Sequence, residues 1–419
     1  MLDVTLFWFY DLENMVKKRV AKQKILKRNN RNVVFSYMRN SGPVTIADLS
    51  EAIQLSRNTI VKIIEYYEND GFIENIGKGD STEEGGKKPN LYQFNPLARV
   101  ACGIELIEGK VTIVFTDLRA EVIKAYTEQL DWNTEVDLIL KQVKEIYNRF
   151  LELHTITEDK VLGIAFGAHG VVDFSAGKIL TSPHNPVWGE NVNLRERMQK
   201  IFPGIPVYLD NRIRFEAFAE LVKGDWGEAK DIIVLDVGEG TISGVILNNA
   251  LRRGKHFLAG HIGHMILNPE DEEICHCGGR GCFEMLISTK RLLRSARDGF
   301  SENPDSLLFN DRGPEEIIPE DVFAASNSGD VFAQSLIDTI SHWLAVGIHN
   351  LGLMYDPDII VLQGTYAKAG EYLLNRVRKK VNEISLLKVK QPLQIEYSRI
   401  NDTAGAVGAA AYVISEFSK

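Results

Sequence analysis

The chain has 419 residues, with 57 acidic against 48 basic side chains for a formal charge of −9, and 44% of its residues are hydrophobic. That length suits two or three domains, and the composition is that of a soluble globular protein. No stretch approaches the ~20 apolar residues of a membrane span. The opening MLDVTLFWFY is short and lacks a basic leader or a small-residue cleavage site, which argues against a signal peptide. With four cysteines and no export signal, a reducing cytoplasm is the expected compartment.

Residues 14–31 hold eight Lys or Arg and no acid, so residues 1–31 read as a basic extension. From Asn32, Val33, Val34, Tyr37 and Met38 recur at helical spacing, and Ser41-Gly42-Pro43 stops that helix. Thr45 can cap a second helix carrying Ile46, Leu49 and Ile53. Ser56 caps a third, residues 57–70, with Ile60, Ile63, Ile64 and Tyr67 inward and Gly71 at its end. Residues 72–76 and 91–94 then read as a hairpin around a Gly-, Lys- and Glu-rich loop. Three short helices and a hairpin make residues 32–96 a winged helix-turn-helix, the third helix entering the DNA major groove. Ser56, Arg57, Asn58, Thr59 and Lys62 begin that helix, and Lys87 and Lys88 flank the wing tip; these are types that reach bases and phosphates of double-stranded DNA. Residues 1–95 carry 14 basic and 12 acidic side chains, net +2, against −11 for the remainder (−9 minus +2). The basic excess therefore lies where a polyanion would be met. A helical protein-interaction module is the competing reading.

After Asn95 the pattern turns α/β. Residues 100–105 and 110–117 read as strands, 134–153 as a helix, 160–166 as a buried strand before a tight loop, 207–209 as a strand and 213–222 as a helix. Residues 231–237 begin another strand pair, broken at Gly238-Glu-Gly240. The segments CGIELIEGKVTIVFTDL and VLDVGEGTISGVILNNA share one rhythm. This points to a duplicated α/β core with a cleft between the halves.

Between Gly260 and Glu284 the chain reads GHIGHMILNPEDEEICHCGGRGCFE, with Cys275, Cys277 and Cys282 inside eight residues. Thiolate and imidazole are ligands that zinc prefers, and the glycines let the backbone close around an ion. Three Cys and one His would saturate a tetrahedral site, which makes the metal structural. Spacing leaves His261, His264 and His276 open as the fourth ligand.

The same segment resembles the zinc signature of the ROK family (repressors, open reading frames and sugar kinases). GIAFGAHGVVD from Gly163 and DPDIIVLQG at residues 356–364 resemble two further family segments. The resemblance implies an actin-like, ribonuclease H-like two-lobed domain over residues 97–419, lobe 1 being about 97–208 plus 395–419 and lobe 2 about 209–394. It implies assembly as a homodimer or homotetramer. It selects His264 with Cys275, Cys277 and Cys282 as the Zn2+ ligands. It places Asn211 and Glu284 on sugar hydroxyls, Gly170 beside the ligand, and Asn185 near the family's asparagine with His184 as a rival. His261 falls where the family usually has a sugar-binding glutamate.

Departures from the family's kinases bear on catalysis. Where these kinases carry a D-x-G-G-T-K turn, the chain reads Glu105-Leu-Ile-Glu-Gly-Lys110, and bulk with Glu108 replaces phosphate-cradling glycines. Glu239 puts a carboxylate into the second phosphate loop. In place of D-N-D the chain reads Asp210-Asn211-Arg212, and Arg212 stays protonated and cannot be the general base. Asp210 should point to the other side of its strand. Arg212 either pairs with Glu239 across the cleft or, with His261, accepts an anionic effector. The expectation is a non-catalytic transcriptional regulator, a repressor of carbohydrate-use genes with a sugar or sugar-derivative effector. The alternative is an active sugar kinase with an appended DNA-binding domain.

Overall fold

The computed structural model describes residues 25–79, 88–107, 109–129, 131, 134–182, 186–310, 312–384, 392–400 and 402–417. Glu108, Lys87, His184, Asn185 and the first part of the basic extension lie outside these residues.

Residues 25–40 are one helix, α1. The expected boundary between 31 and 32 falls inside it, because Ile25 to Arg31 are mostly good helix formers and nothing breaks the helix before Ser41-Gly42-Pro43. α2 (Ile46–Ile53) opens on a capping box in which Thr45 Oγ1 accepts from the Asp48 N–H at 3.2 Å and Asp48 Oδ2 accepts from the Thr45 N–H at 2.8 Å. α3 (Arg57–Asn69) is capped by Ser56, whose hydroxyl accepts from the Thr59 N–H. Gly71 follows it with φ +77°. β1 (Ile73–Lys78) and β2 (Asn90–Phe94) pair antiparallel, and Val44 bridges Tyr92 at their edge. Phe35 sits among Tyr67, Phe72 and Phe94, with ring centroids 5.3–5.8 Å apart.

Two five-stranded sheets follow. The first holds β3 (Val100–Ile107), β4 (Lys110–Thr116), β5 (Val122–Gln129), β6 (Val161–Ala168) and β9 (Val207–Asn211), in the order β5-β4-β3-β6-β9. The second holds β10 (Ile232–Val237), β11 (Thr241–Leu247), β12 (Ala250–Leu251), β13 (Ile359–Gln363) and β14 (Gln394–Tyr397), in the order β12-β11-β10-β13-β14. Each begins with three antiparallel strands and ends with two parallel ones. The repeat heard in the sequence is therefore a repeat of topology. Two lobe limits shift: β14 belongs to the second sheet, so residues 395–397 leave lobe 1, and β9 runs to Asn211, so residues 209–211 join it. Between β6 and β9 lies a small hairpin, β7 (Val171–Asp173) with β8 (Lys178–Thr181).

α4 (Val136–Leu153) and α5 (Leu194–Ile201) cover the outer face of the first sheet. α7 (Phe283–Ile287), α8 (Thr289–Asp298), α9 (Pro319–Asn327), α10 (Val331–Tyr355) and α11 (Gly370–Ile384) cover that of the second. α10 is long and apolar enough to cross a membrane, which corrects the expectation that no stretch is; Leu336, Ile337, Ile340, Leu344, Ile348 and Leu351 are instead buried in the second lobe's core.

Among the described residues two helices separate the sheets: α6 (Arg212–Lys223) and α12 (Ala404–Phe417). They touch through glycine. A Cβ at Gly103 of β3 would collide with the Ala406 carbonyl of α12, one at Gly408 of α12 with the Phe215 carbonyl of α6, and one at Gly244 of β11 with the Ile213 carbonyl of α6. At its other end α12 enters the winged helix, where Phe417 stacks on Phe72 at 5.3 Å and meets Phe35 at 5.8 Å. Ala409 to Ala411, Val413 and Ile414 share one buried cluster with Val34, Phe35 and Ile64.

Candidate functional site

The ends of β3, β6, β9 and β10 open on a cleft of about 1320 Å³ between the lobes, floored by Ala404 and Gly405 of α12. Gly170, Asn211, Arg212, His261 and Glu284 all line it. Asn185, the remaining expected effector residue, lies outside the described residues.

Asn211 ends β9 and caps α6: its Oδ1 accepts from the Ile213 N–H at 3.1 Å, and its Nδ2 donates to the Gly170 carbonyl at 2.6 Å. Gly170 has φ +87°, and a Cβ there would collide with the Thr181 carbonyl. The side chain is fixed, yet keeps one amide hydrogen and one lone pair for a ligand.

Arg212 does not pair with Glu239. It starts α6, so its neighbour one turn on is Glu216, and the guanidinium bridges Glu216 and Asp236 of β10. Glu239 lies exposed at the turn tip. Burial opposes the charge on Arg212, but Glu216, Asp236 and Glu105 hold its pKa above the ordinary value. Burial, with Glu216 opposite, pushes the Glu105 carboxyl well above the usual range, and burial raises Glu216 too. Asp210 points away from the cleft, as expected, and binds Arg214 at 2.7 Å and Arg253 at 2.6 Å. The sequence reading missed Glu105, Glu216 and Asp236 as partners; the four-residue spacing from Arg212 to Glu216 was a usable signal.

His261 is half-buried. Burial, then Arg214 and His264, lower its pKa, which works against a cationic imidazole here. Among the described residues, its Nδ1 and the Thr241 hydroxyl are buried without a hydrogen-bond partner, and both residues line the cleft. Such groups are costly to leave unsatisfied, so they suit a polar, uncharged ligand. β3 and β4 pair as far as Ile107 with Lys110 at the mouth of the cleft, and in the turn between β10 and β11 the Gly238 N–H donates to the Gly240 carbonyl at 3.0 Å.

One wall of the cleft is a tight knuckle. The Cys275 N–H donates to the Gly279 carbonyl and the Gly278 N–H to the Cys275 carbonyl, each at 2.8 Å. Gly278 and Gly281 have positive φ, and a Cβ at Gly281 would collide with the Asn268 carbonyl. One donor atom each from His264, Cys275, Cys277 and Cys282 lies within 4.8 Å of the others, so the four could hold a metal ion. His261 is not in that group. The Cys277–Cys282 Sγ separation and the His264 Nδ1–Cys275 Sγ separation are both 3.6 Å. A tetrahedral zinc with ordinary bond lengths needs ligand separations of about 3.6–3.8 Å, so the donor set fits. Glu284 stands beside it on α7, with Oε1 3.1 Å from Cys275 Sγ, 3.4 Å from His264 Nδ1 and 3.3 Å from His276 Nδ1. His264, Cys275, His276 and Glu284 form a second, overlapping donor group.

The expected DNA-contacting residues share the start of α3. Ser56, Arg57, Asn58 and Lys62 are exposed and Thr59 is half-buried, while Ile60, Ile63, Ile64 and Tyr67 face the core. Lys88 is exposed beside the wing; Lys87 lies outside the described residues.

Comparison with known proteins agrees with this layout. The chain is similar to a xylose repressor of Caldicellulosiruptor bescii, 27% identical over 95% of this chain and 98% of that protein. It is similar to a glucokinase of Halalkalibacterium halodurans, 26% identical over 73% of this chain and 92% of that protein. A solved ROK family transcriptional regulator, a homolog of the E. coli MLC protein, superposes with a TM-score of 0.81 over 94% of this chain and 97% of that one, at 24% identity. The ROK family pattern itself matches residues 102–416, three quarters of the sequence, so with its two matched sheets, inter-lobe cleft and His-Cys knuckle the chain belongs to the ROK family.

Proposed function

We propose that the chain is a sugar-responsive transcriptional repressor of carbohydrate-use genes, working on double-stranded DNA as a homodimer or homotetramer in the cytoplasm. The observation that carries the reading is the junction of a winged helix with an exposed α3 face to a kinase-like cleft in which Arg212, tied to Glu216 and Asp236, stands at the base position. An uncharged sugar or sugar derivative suits the cleft, held by Asn211, His261, Glu284, Asn185 and the Gly170 backbone. α12 links the two sites, since its first residues floor the cleft and its last ring, partly exposed, stacks on Phe72 of the winged helix. A differential affinity of ~1–3 kcal/mol between cleft states is enough for a switch.

Zinc is the metal that the donor set favours, held by His264, Cys275, Cys277 and Cys282. With four protein ligands it offers no open position and supplies rigidity to the loop carrying Glu284. Elemental analysis of protein purified without added metal should give one equivalent per chain, and Cys277→Ser should lose it together with thermal stability. Well under half an equivalent would count against zinc.

The DNA reading is tested by selecting binding sequences from random duplexes, then titrating sugars against the complex. An inverted repeat should emerge, as a two-fold protein mirrors a two-fold site. Arg57→Ala should cost roughly 1–3 kcal/mol on the selected site and relax one base pair. Lys88→Ala should weaken all sequences alike and flatten the salt dependence. Equal weakening of selected and scrambled DNA by Arg57→Ala would remove α3 as the reader. The alternative, an active kinase with an appended DNA-binding domain, is met by an ATP-coupled assay across common hexoses, where turnover would overturn the non-catalytic reading.

A further inference from the structure

A second cavity, of about 720 Å³, opens at the seam where the winged helix meets the rest of the chain. Arg39 at the end of α1, Ser41 and Gln93 line it from the winged helix; Arg119 and Glu121, both in the turn before β5, line it from the core, with Ser415 of α12 beside them. Arg39 is half-buried, and burial lowers its pKa. Among the described residues its guanidinium has no ion pair or hydrogen bond, so its charge is answered by solvent alone and is open to an anion. Arg119 is exposed; among the described residues its guanidinium donates one long hydrogen bond, from Nη2 to the Ser41 carbonyl at 3.4 Å, and stands over the Phe94 ring at 5.9 Å, with no carboxylate on it. Glu121, the carboxylate lining this cavity, is already matched by Lys223 of α6 at 2.5 Å. The seam thus holds two guanidinium groups in surplus, whose planar forks fit a phosphate or a carboxylate in two-point contact.

We propose that this seam binds a small phosphate-bearing anion between Arg39 and Arg119. Phosphate is the better match, because several oxygens can serve both forks at once and the doubly charged form answers both cations. An anion held by one arginine from each side fixes a single docking of the winged helix on the core, so its occupancy and DNA affinity become linked quantities. The binding step itself does not rest on the repressor reading and uses none of the cleft residues.

Isothermal titration of the full chain with inorganic phosphate and with glycerol 3-phosphate, at constant ionic strength against chloride, tests it. Both probes should bind. Arg39→Gln and Arg119→Gln should each lower the affinity about tenfold or more, as expected when a bidentate contact is lost. Arg39→Lys, which keeps the charge and the stem, should fall between, and Arg119→Gln lies in an exposed turn where folding is not at risk. Lys110→Gln, which removes a cation from the inter-lobe cleft, should leave the affinity within about twofold. No binding beyond the chloride control would overturn the proposal. So would unchanged binding in both arginine variants, or loss of binding in Lys110→Gln, which would move the anion to the cleft. If the arginines instead meet the DNA backbone, the variants will weaken DNA binding while neither free probe binds the wild type, and the proposal fails.

Discussion

Asp210 and Arg212 flank Asn211 and lead into two charge clusters of opposite make-up. Asp210 is one carboxylate between two cations, Arg214 and Arg253, and Arg214 donates further to the Phe257 carbonyl at 2.7 Å. Arg212 is one cation among three carboxylates, Glu105, Glu216 and Asp236. The first cluster is closed: Asp210 is 1% and Arg214 2% exposed. The second borders the cleft, and two of its acids are pushed toward the protonated form by burial. A strand end followed by a helix start sends alternate residues to opposite sides. Three successive positions can therefore serve fold, ligand and electrostatic plug in turn.

Breaking the closed cluster should have the largest effect. Asp210→Asn strands two cations and should destabilise the chain by ~3–5 kcal/mol in denaturant unfolding; a loss under about 1 kcal/mol would mean that water or a shift relieves both arginines. Arg212→Met should cost less, about 1–3 kcal/mol at neutral pH, because the stranded Glu105 and Glu216 can take up protons whereas the stranded Arg214 and Arg253 cannot give theirs up. A loss equal to that of Asp210→Asn would erase the distinction between the clusters.

A smaller effect sharpens the same contrast. A carboxyl whose pKa is raised in the fold binds protons more tightly there than in the unfolded chain. Its contribution to stability is full below the unfolded value and lost as pH rises through the folded one. Glu105→Gln should therefore flatten the decline in stability above about pH 4.5, read from melts over a pH series. An unchanged slope would assign the decline to other groups. The smallest expected effect is none: Arg212→Asp, although it rewrites D-N-D, should give no hexose phosphorylation while the phosphate turns remain altered. Turnover in that variant would make Arg212 the sole block.

The direction of Asp210 was legible because β9 alternates, and the knuckle because its ligands and glycines crowd one short segment. The partner of Arg212 was misread for one physical reason. The chain leaves the strand at Asn211, so helical spacing, reaching Glu216, replaces strand geometry. β5 was unread because it is a mostly exposed edge strand with no apolar alternation, and β7 and β8 are too short to carry a period. Cavities at seams, such as the one between Arg39 and Arg119, arise from residues 80 apart in sequence (119 minus 39) and leave no local pattern.

The glycine contacts of α12 also bear on how the molecule is made. α12 follows every strand and helix it joins, yet it is the wedge between the two sheets and one wall of the winged-helix core. Each sheet can pair its strands as it emerges, and α6 can cover the inner face of the second, but the inner face of the first lacks its helix until α12 arrives, and the winged helix waits for the stacking of Phe417 on Phe72. The last packing event is thus shared by all three parts, a contact of very high sequence separation and slow closure. A nascent chain would hold a formed but unsealed reading head, and the competence to bind DNA would arrive together with a finished cleft.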